Sequence, residues 1–186
     1  MSFPDDTSLV AACCKQNREA QQVLYMRFRT PLYRMCLRYA RDPQEAEDFL
    51  HDGMLKVFAD IGQFRGTGAL GGWVRRVVLN VVLQHIRKRP HWLSEEHIPE
   101  KEIPSAPDLD EQLQTLQGSQ IFALVKKLPI GYRTVFSLYY LEQRGHKEIA
   151  SLLGISEGAS KSQLYKARRA LKQAIMEHFP TYQYRS

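Results

Sequence analysis

Three sets of side chains have types and spacings that can do chemistry. Asp48, His51 and Asp52 set two carboxylates one helical turn apart beside an imidazole, groups that bind metals or move protons. In helical register they share an outward face with Leu55, and an exposed helical stripe accounts for them without any converging pocket. A metal-dependent nucleic-acid enzyme built on them and nearby histidines is therefore the weakest reading, to be revived only by turnover that a chelator abolishes. Trp73, Arg76, Asn80, Gln84 and Arg87 form a second set, one aromatic ring with two guanidiniums and two amides. Those groups stack on and hydrogen-bond to unpaired bases. Five glycines between Gly62 and Gly72 precede this stripe, with Phe64, Arg65 and Thr67 among them. They read as an irregular loop that lets backbone approach a ligand. It is not a phosphate-binding loop, because no Gly-Lys-Ser/Thr follows. The third set is Lys161, Ser162, Gln163, Tyr165, Lys166 and Arg169, a basic and polar run suited to duplex DNA.

Helices must position all three. Asp42-Pro43-Gln44-Glu45 starts one: Asp42 caps, Pro43 needs no amide partner at the first position, and Glu45 can complete a capping box. Downstream, Ala46, Phe49, Leu50, Gly53, Met54, Val57, Phe58 and Ile61 recur at steps of three and four, a stripe that faces a core. Upstream, Val23, Leu24, Phe28, Leu32, Met35, Cys36 and Tyr39 keep helical spacing, and Pro31 among them predicts a kink or a split. Val74, Val77, Val78, Val81 and Val82 favour a strand by propensity, but the length of Trp73 to Arg89 decides for a helix with the valines inward.

Near the C-terminus, Leu128-Pro129 precedes an apolar helix from Tyr132 to Leu141, and Gly145 to Ser156 leads into a long basic helix. This is helix-turn-helix order: Ala150 allows close approach, Gly154 makes the turn, Ile155 plugs the junction and Ser156 caps the next helix. That helix buries Ser160, Leu164, Ala167 and Leu171. Its opposite side offers Ser162, Gln163 and Lys166 to base edges and phosphates and the later arginines to backbone.

The charge is unevenly spread along the 186 residues. Residues 1–90 hold 14 basic and 9 acidic side chains, residues 91–118 hold 1 and 7, and residues 119–186 hold 11 and 4. Two basic blocks flank an acidic segment broken by Pro99, Pro104 and Pro107, which reads as a linker with a helix resuming near Asp108. The expected fold is thus all-α, with helical domains at 1–90 and 119–186 joined by an acidic, proline-containing linker at 91–118. The clustering favours a polyanion partner. No apolar run reaches the ~20 residues of a membrane span, and Met1 to Asp6 lacks the flank of a signal peptide, so a cytoplasmic protein is expected. Cys13, Cys14 and Cys36 fit no disulfide framework or metal motif and read as buried apolar residues in a reducing compartment.

In order and separation these segments resemble the extracytoplasmic-function group of bacterial RNA polymerase sigma factors over nearly the whole chain. Ala46 to Phe58 is similar to that family's Asp-x-x-Gln-x-x-Phe helix, Trp73 to Arg87 to its Trp…Asn…Asp…Arg helix, and Leu128-Pro129, Glu148-Ile149-Ala150, Gly154-Ile155-Ser156 and Lys161-Ser162 to its promoter-reading module. His51 stands in place of Gln, Met54 of Phe, Gln84 of Asp, and Ala159-Ser160 of Thr-Val. Ser160 puts a hydroxyl in a core slot, a local cost unless it bonds back to the helix backbone.

The resemblance implies a non-catalytic protein, without cofactor or metal, that lends promoter specificity to core RNA polymerase. Asp48, His51, Asp52 and Leu55 would dock on the polymerase clamp. The loop and stripe, Phe64, Arg65, Thr67, Trp73, Arg76, Asn80, Gln84 and Arg87, would capture unpaired minus-ten bases. Lys161, Ser162, Gln163, Tyr165, Lys166 and Arg169 would read the minus-35 duplex while the second domain holds the polymerase flap. The acidic linker would follow a path otherwise taken by RNA, and an anti-sigma factor would cover the docking surfaces. A rival is a stand-alone helix-turn-helix regulator, which leaves the Trp73 stripe and glycine loop unexplained. Gel-shift binding to duplex DNA without polymerase would favour it.

Overall fold

In the computed structural model, the described residues are 3, 5–90, 92, 93, 109 and 117–178, and they are helical with no strand among them. The chain divides into two compact units, Met1–Lys88 and Arg89–Ser186. The linker expectation falls mostly on residues outside those described. Leu109, within it, is fully buried and belongs to the second unit.

The first unit holds α1 (Asp6–Cys14), α2 (Arg18–Tyr39), α3 (Pro43–Asp60), a 3-10 turn (Ile61–Gln63) and α4 (Leu70–Arg87). Side-chain caps start the first three: Asp5 accepts from Ser8 N–H at 2.7 Å, Asn17 from Ala20 N–H at 3.0 Å and Asp42 from Glu45 N–H at 2.8 Å. Each satisfies an amide that the helix itself cannot. Glu45 reaches back one residue further than a capping box requires, accepting from Arg41 N–H at 2.6 Å. Its carboxylate also pairs with the Arg41 guanidinium at 3.0 Å and holds that group's pKa above its ordinary value.

Helices α2, α3 and α4 pack pairwise, and α1 lies on α2 and the 3-10 turn. The α3 stripe Ala46, Phe49, Leu50, Gly53, Met54 and Val57 is buried as its spacing predicts. A Cβ on Gly53 would lie 2.7 Å from Val78 Cγ1, so glycine sets the close approach of α3 to α4. On α4, Val74, Val78 and Val82 are buried, while Val77 and Val81 flank the core half-buried.

Two expectations about α2 are corrected. Pro31 does not split the helix, which runs unbroken from Arg18 to Tyr39. An internal proline costs ~3 kcal/mol, but Pro31 itself is exposed, and the burial of Leu24, Leu32, Met35 and Cys36 on either side of it carries the helix across. Val23 is 38% exposed, at the edge of the stripe rather than in the core. Of the cysteines, Cys13 and Cys36 are buried and Cys14 is exposed, so the buried reading fails for Cys14. Burial pushes the Cys36 thiol up to about 12, which makes it inert at neutral pH.

The second unit contains α5 (Gly118–Lys126), α6 (Ile130–Phe136), a π-helical turn (Ser137–Leu141), α7 (His146–Leu153) and α8 (Glu157–His178). The helix expected over Tyr132 to Leu141 is therefore α-helical only as far as Phe136. Widening to π carries Tyr139 outward and brings Tyr140 onto Phe136, ring centroids 4.6 Å apart. Helices α5, α6 and α7 all pack on α8.

Candidate nucleic-acid interface

Residues Phe64–Ala69 are the irregular link between the 3-10 turn and α4. Gly66 at φ 71° and Gly68 at φ 113° adopt backbone conformations that side chains disfavour, which turns the chain within three residues. Gly71 and Gly72, expected in the loop, instead open α4. A Cβ on Gly71 would sit 3.1 Å from Phe28 Cε1, so the helix starts where α2 leaves room only for glycine.

At the loop-to-helix junction the rings of Phe64 and Trp73 meet, centroids 5.9 Å apart and tilted by 58°. Arg65 and Thr67 stand exposed beside them, and along α4 so do Arg76, Asn80, Gln84 and Arg87. Loop and stripe thus form one surface: a half-buried aromatic corner, then amides and cations projecting at successive turns. Planar groups of this kind suit unstacked bases, whose faces stack on rings and whose edges pair with amides.

The opposite flank of α4 faces α3. His85 Nε2 lies 3.0 Å from Asp52 Oδ2, and its ring lies 5.3 Å from that of Phe49. This divides the α3 set. Asp48 and Leu55 lie along the exposed crest, whereas Asp52 turns toward α4 and His51 toward α2. On the α2 side, Glu47, Asp48 and His51 line a groove with Tyr25, Met26, Arg29 and Tyr33. The α2 half of that groove was not foreseen from sequence; its signal was Met26, which is 58% exposed on a helix whose other large apolar residues mostly turn inward. Among the described residues no three His, Cys, Asp or Glu side chains converge as metal ligands.

In the second unit, Gly154 terminates α7 at φ 67°, and Ser156 Oγ accepts from Ala159 N–H at 3.0 Å to start α8. Ile155 is half-buried at the junction. The core slot at Ser160 is satisfied from a neighbouring helix rather than from its own backbone, because His146 Nδ1 lies 3.0 Å from Ser160 Oγ. His146 in turn stacks on Tyr139, centroids 5.1 Å apart, and Arg168 donates to the Tyr140 hydroxyl. The π turn is thereby tied to both α7 and α8.

Along α8, Lys161, Ser162 and Tyr165 are exposed, and Lys166 and Arg169 are half-buried. Lys161 Nζ pairs with Glu157 Oε1 at 2.8 Å, and this hydrogen bond holds the Glu157 carboxyl below its ordinary range. Gln163 departs from expectation: it is 7% exposed and cannot offer its amide to a base edge. It lies one turn from both Ser160 and Ala167, on the flank of the buried stripe, and points at Gly131 of α6. A Cβ on Gly131 would lie 2.8 Å from Gln163 Oε1 and 2.9 Å from the Trp92 carbonyl oxygen. The missing side chain at 131 thus makes the space that draws Gln163 inward.

Comparison with known proteins places both regions. The family model for sigma-70 region 2 matches residues 24–90 and that for sigma-70 region 4 matches residues 119–171. The chain is 22% identical over 180 residues to the RNA polymerase sigma-H factor of Pseudomonas aeruginosa, covering 91% of this chain and 93% of that protein. It is 26% identical over 170 residues to the ECF RNA polymerase sigma factor SigM of Mycobacterium tuberculosis, covering 91% and 84%. Among solved structures, CnrH in complex with the cytosolic domain of CnrY aligns at 19% identity with a TM-score of 0.47, covering 92% of this chain and 96% of that one. With region 2 matched across the loop and stripe, and region 4 across the helix-turn-helix, the chain belongs to the extracytoplasmic-function group of RNA polymerase sigma factors.

Proposed function

We propose that the two units divide promoter recognition between unpaired and paired DNA. As a sigma factor, the protein binds core RNA polymerase and directs promoter-specific transcription, a non-catalytic task in initiation. The finer assignment gives minus-ten capture to Phe64, Arg65, Thr67, Trp73, Arg76, Asn80, Gln84 and Arg87. It gives minus-35 reading to Lys161, Ser162, Tyr165, Lys166 and Arg169, with Gln163 withdrawn from the set. Asp48, His51 and Leu55 form the clamp dock, with Asp52 at its α4 border, and the second unit holds the flap. The observation that carries this reading is the surface on which Phe64 packs against Trp73 while Arg76, Asn80, Gln84 and Arg87 project beside an open loop. A protein that reads only duplex has no use for it.

Extruding a base costs a few kcal/mol, which stacking on a preformed aromatic corner and pairing with Asn80 can offset. No covalent chemistry is required, and no cofactor. An anti-sigma factor that covers the dock and both DNA faces would keep the chain inactive. No described helix is long and apolar enough to cross a membrane. We place the protein in the cytoplasm, where polymerase and promoter are.

Run-off transcription from genomic DNA fragments, with core polymerase alone and with this protein added, tests the reading. Discrete new transcripts are expected only in its presence. Retarded duplex DNA without polymerase, and no new transcripts with it, would overturn the assignment in favour of a stand-alone regulator.

A further inference from the structure

The recognition helix presents duplex DNA with a narrow chemistry. Gln163 carries the only side-chain amide in the first half of α8 and is buried, so the bidentate amide-to-adenine pairing is not available there. Lys161 is tied to Glu157 one turn earlier. On the exposed face, Gly158, Ser162 and Tyr165 follow one another at steps of four and three. The first has no side chain and the second a short one, so the phenol ring stands clear of its neighbours. At 66% it is the most exposed large apolar side chain among the described residues.

In the major groove the one apolar base-edge feature is the C5-methyl group of thymine. We propose that Tyr165 is a specificity-determining residue of the minus-35 module and that it selects thymine by apolar contact of its ring with that methyl group. The inference rests on the assignment of α8 to the minus-35 duplex and adds what that helix discriminates. Ser162, three residues away on the same face, contributes a hydroxyl that accepts or donates and so selects weakly by itself. Lys161, Lys166 and Arg169 carry cationic groups, which pair with phosphates or with guanine and have no affinity for a methyl group. Discrimination of thymine therefore falls to the ring.

The test uses core polymerase with the full chain. A minus-35 duplex is selected from a random pool placed upstream of a pre-mismatched minus-ten region, then made with thymine or with deoxyuridine at the selected positions. Deoxyuridine keeps every hydrogen-bonding group and removes only the methyl. Wild-type holoenzyme is expected to lose about four-fold in affinity for each contacted methyl removed. Tyr165→Phe should keep that loss, whereas Tyr165→Ala should bind the thymine duplex more weakly and bind both duplexes alike. Equal binding of the two duplexes by the wild type overturns the proposal, and so does an undiminished deoxyuridine penalty in Tyr165→Ala. If wild-type binding is also indifferent to scrambling the selected element, the assignment of α8 itself fails, a result distinct from indifference to the methyl alone.

Discussion

The stripe on α4 and the outer face of α8 are both polar, basic and aromatic, yet they are built in opposite ways. On α8 the polar groups are set by neighbours: Lys161 by Glu157, Ser160 by His146, Arg168 by Tyr140, and Gln163 by the space at Gly131. On α4 the exposed groups lie next to a loop that turns through two glycines at positive φ, and the Phe64 and Trp73 rings meet at its corner. A duplex presents a fixed shape, so a rigid face reads it at the least entropic cost. An extruded base leaves its stack, so a receptor for it needs a stacking platform and room for the base beside it, which glycines without side chains leave open.

The most drastic way to break that comparison is to remove one partner's scaffold. Leu164 is buried at the centre of the second unit, and Leu164→Ala should cost about 2–5 kcal/mol of that unit's stability. Thermal melting should then show an early transition and loss of minus-35-dependent binding, while binding to pre-melted minus-ten DNA persists. Loss of both activities together would mean that the two surfaces are not independent.

Asn80→Ala should cost about 1–3 kcal/mol in promoter opening if its amide pairs with an extruded base. The defect should be large on duplex promoters and partly rescued on templates mismatched at the minus-ten region, because the melting cost is then absent. Equal defects on the two templates would reassign Asn80 to packing or polymerase contact.

On the rigid side, Lys166→Ala and Arg169→Ala should each weaken minus-35 binding to all sequences alike. For a pure phosphate contact, the slope of log affinity against log salt should fall by about one. A change in sequence preference instead would make either residue a base reader.

Asp48→Arg should weaken core polymerase binding in a pull-down while altering stability by less than ~0.5 kcal/mol, since the residue lies on the exposed crest of α3. Asp52→Arg differs because it also breaks the pair with His85, an exposed contact worth at most about 1 kcal/mol. Unchanged polymerase affinity for Asp48→Arg would move the dock off this crest.

The smallest effect concerns pH. The Glu157 carboxyl sits below its usual 4.5 because of Lys161. Its contribution to the first turn of α8 is present above that ordinary value and is lost as pH falls through the lowered one. Protection of the amides at the start of α8, taken relative to their unfolded-chain exchange rates, should fall across that acidic window and hold steady between pH 6 and 8, and Lys161→Ala should shrink the step.

Much of this architecture is determined locally, and so was legible in the sequence. Asp42 and Ser156 start helices because an oxygen on a short side chain can reach an unpaired amide two or three residues on. Gly154 ends α7 because a left-handed residue costs glycine nothing. Arg76, Asn80, Gln84 and Arg87 stand exposed because residues at those helical steps cannot face inward while Val74, Val78 and Val82 do. Periodicity assigns each residue an angle around its helix, and for residues well inside the apolar or polar arc that angle is sufficient.

At the borders of those arcs the neighbouring element decides. Gln163 and Ser162 are adjacent in sequence and both read as surface, but the gap at Gly131 admits one of them to the core. Asp52 shares its stripe with Asp48, yet His85 on another helix draws it toward the α4 flank. Pro31 should break α2 on propensity, and packing against α3 and α4 outweighs the lost bond. Gly71 is a loop residue by composition and a helical one by contact with Phe28. In each case the deciding atoms come from residues far along the chain. Which of two borderline side chains is buried depends on the space another helix leaves, a quantity that no local spacing contains.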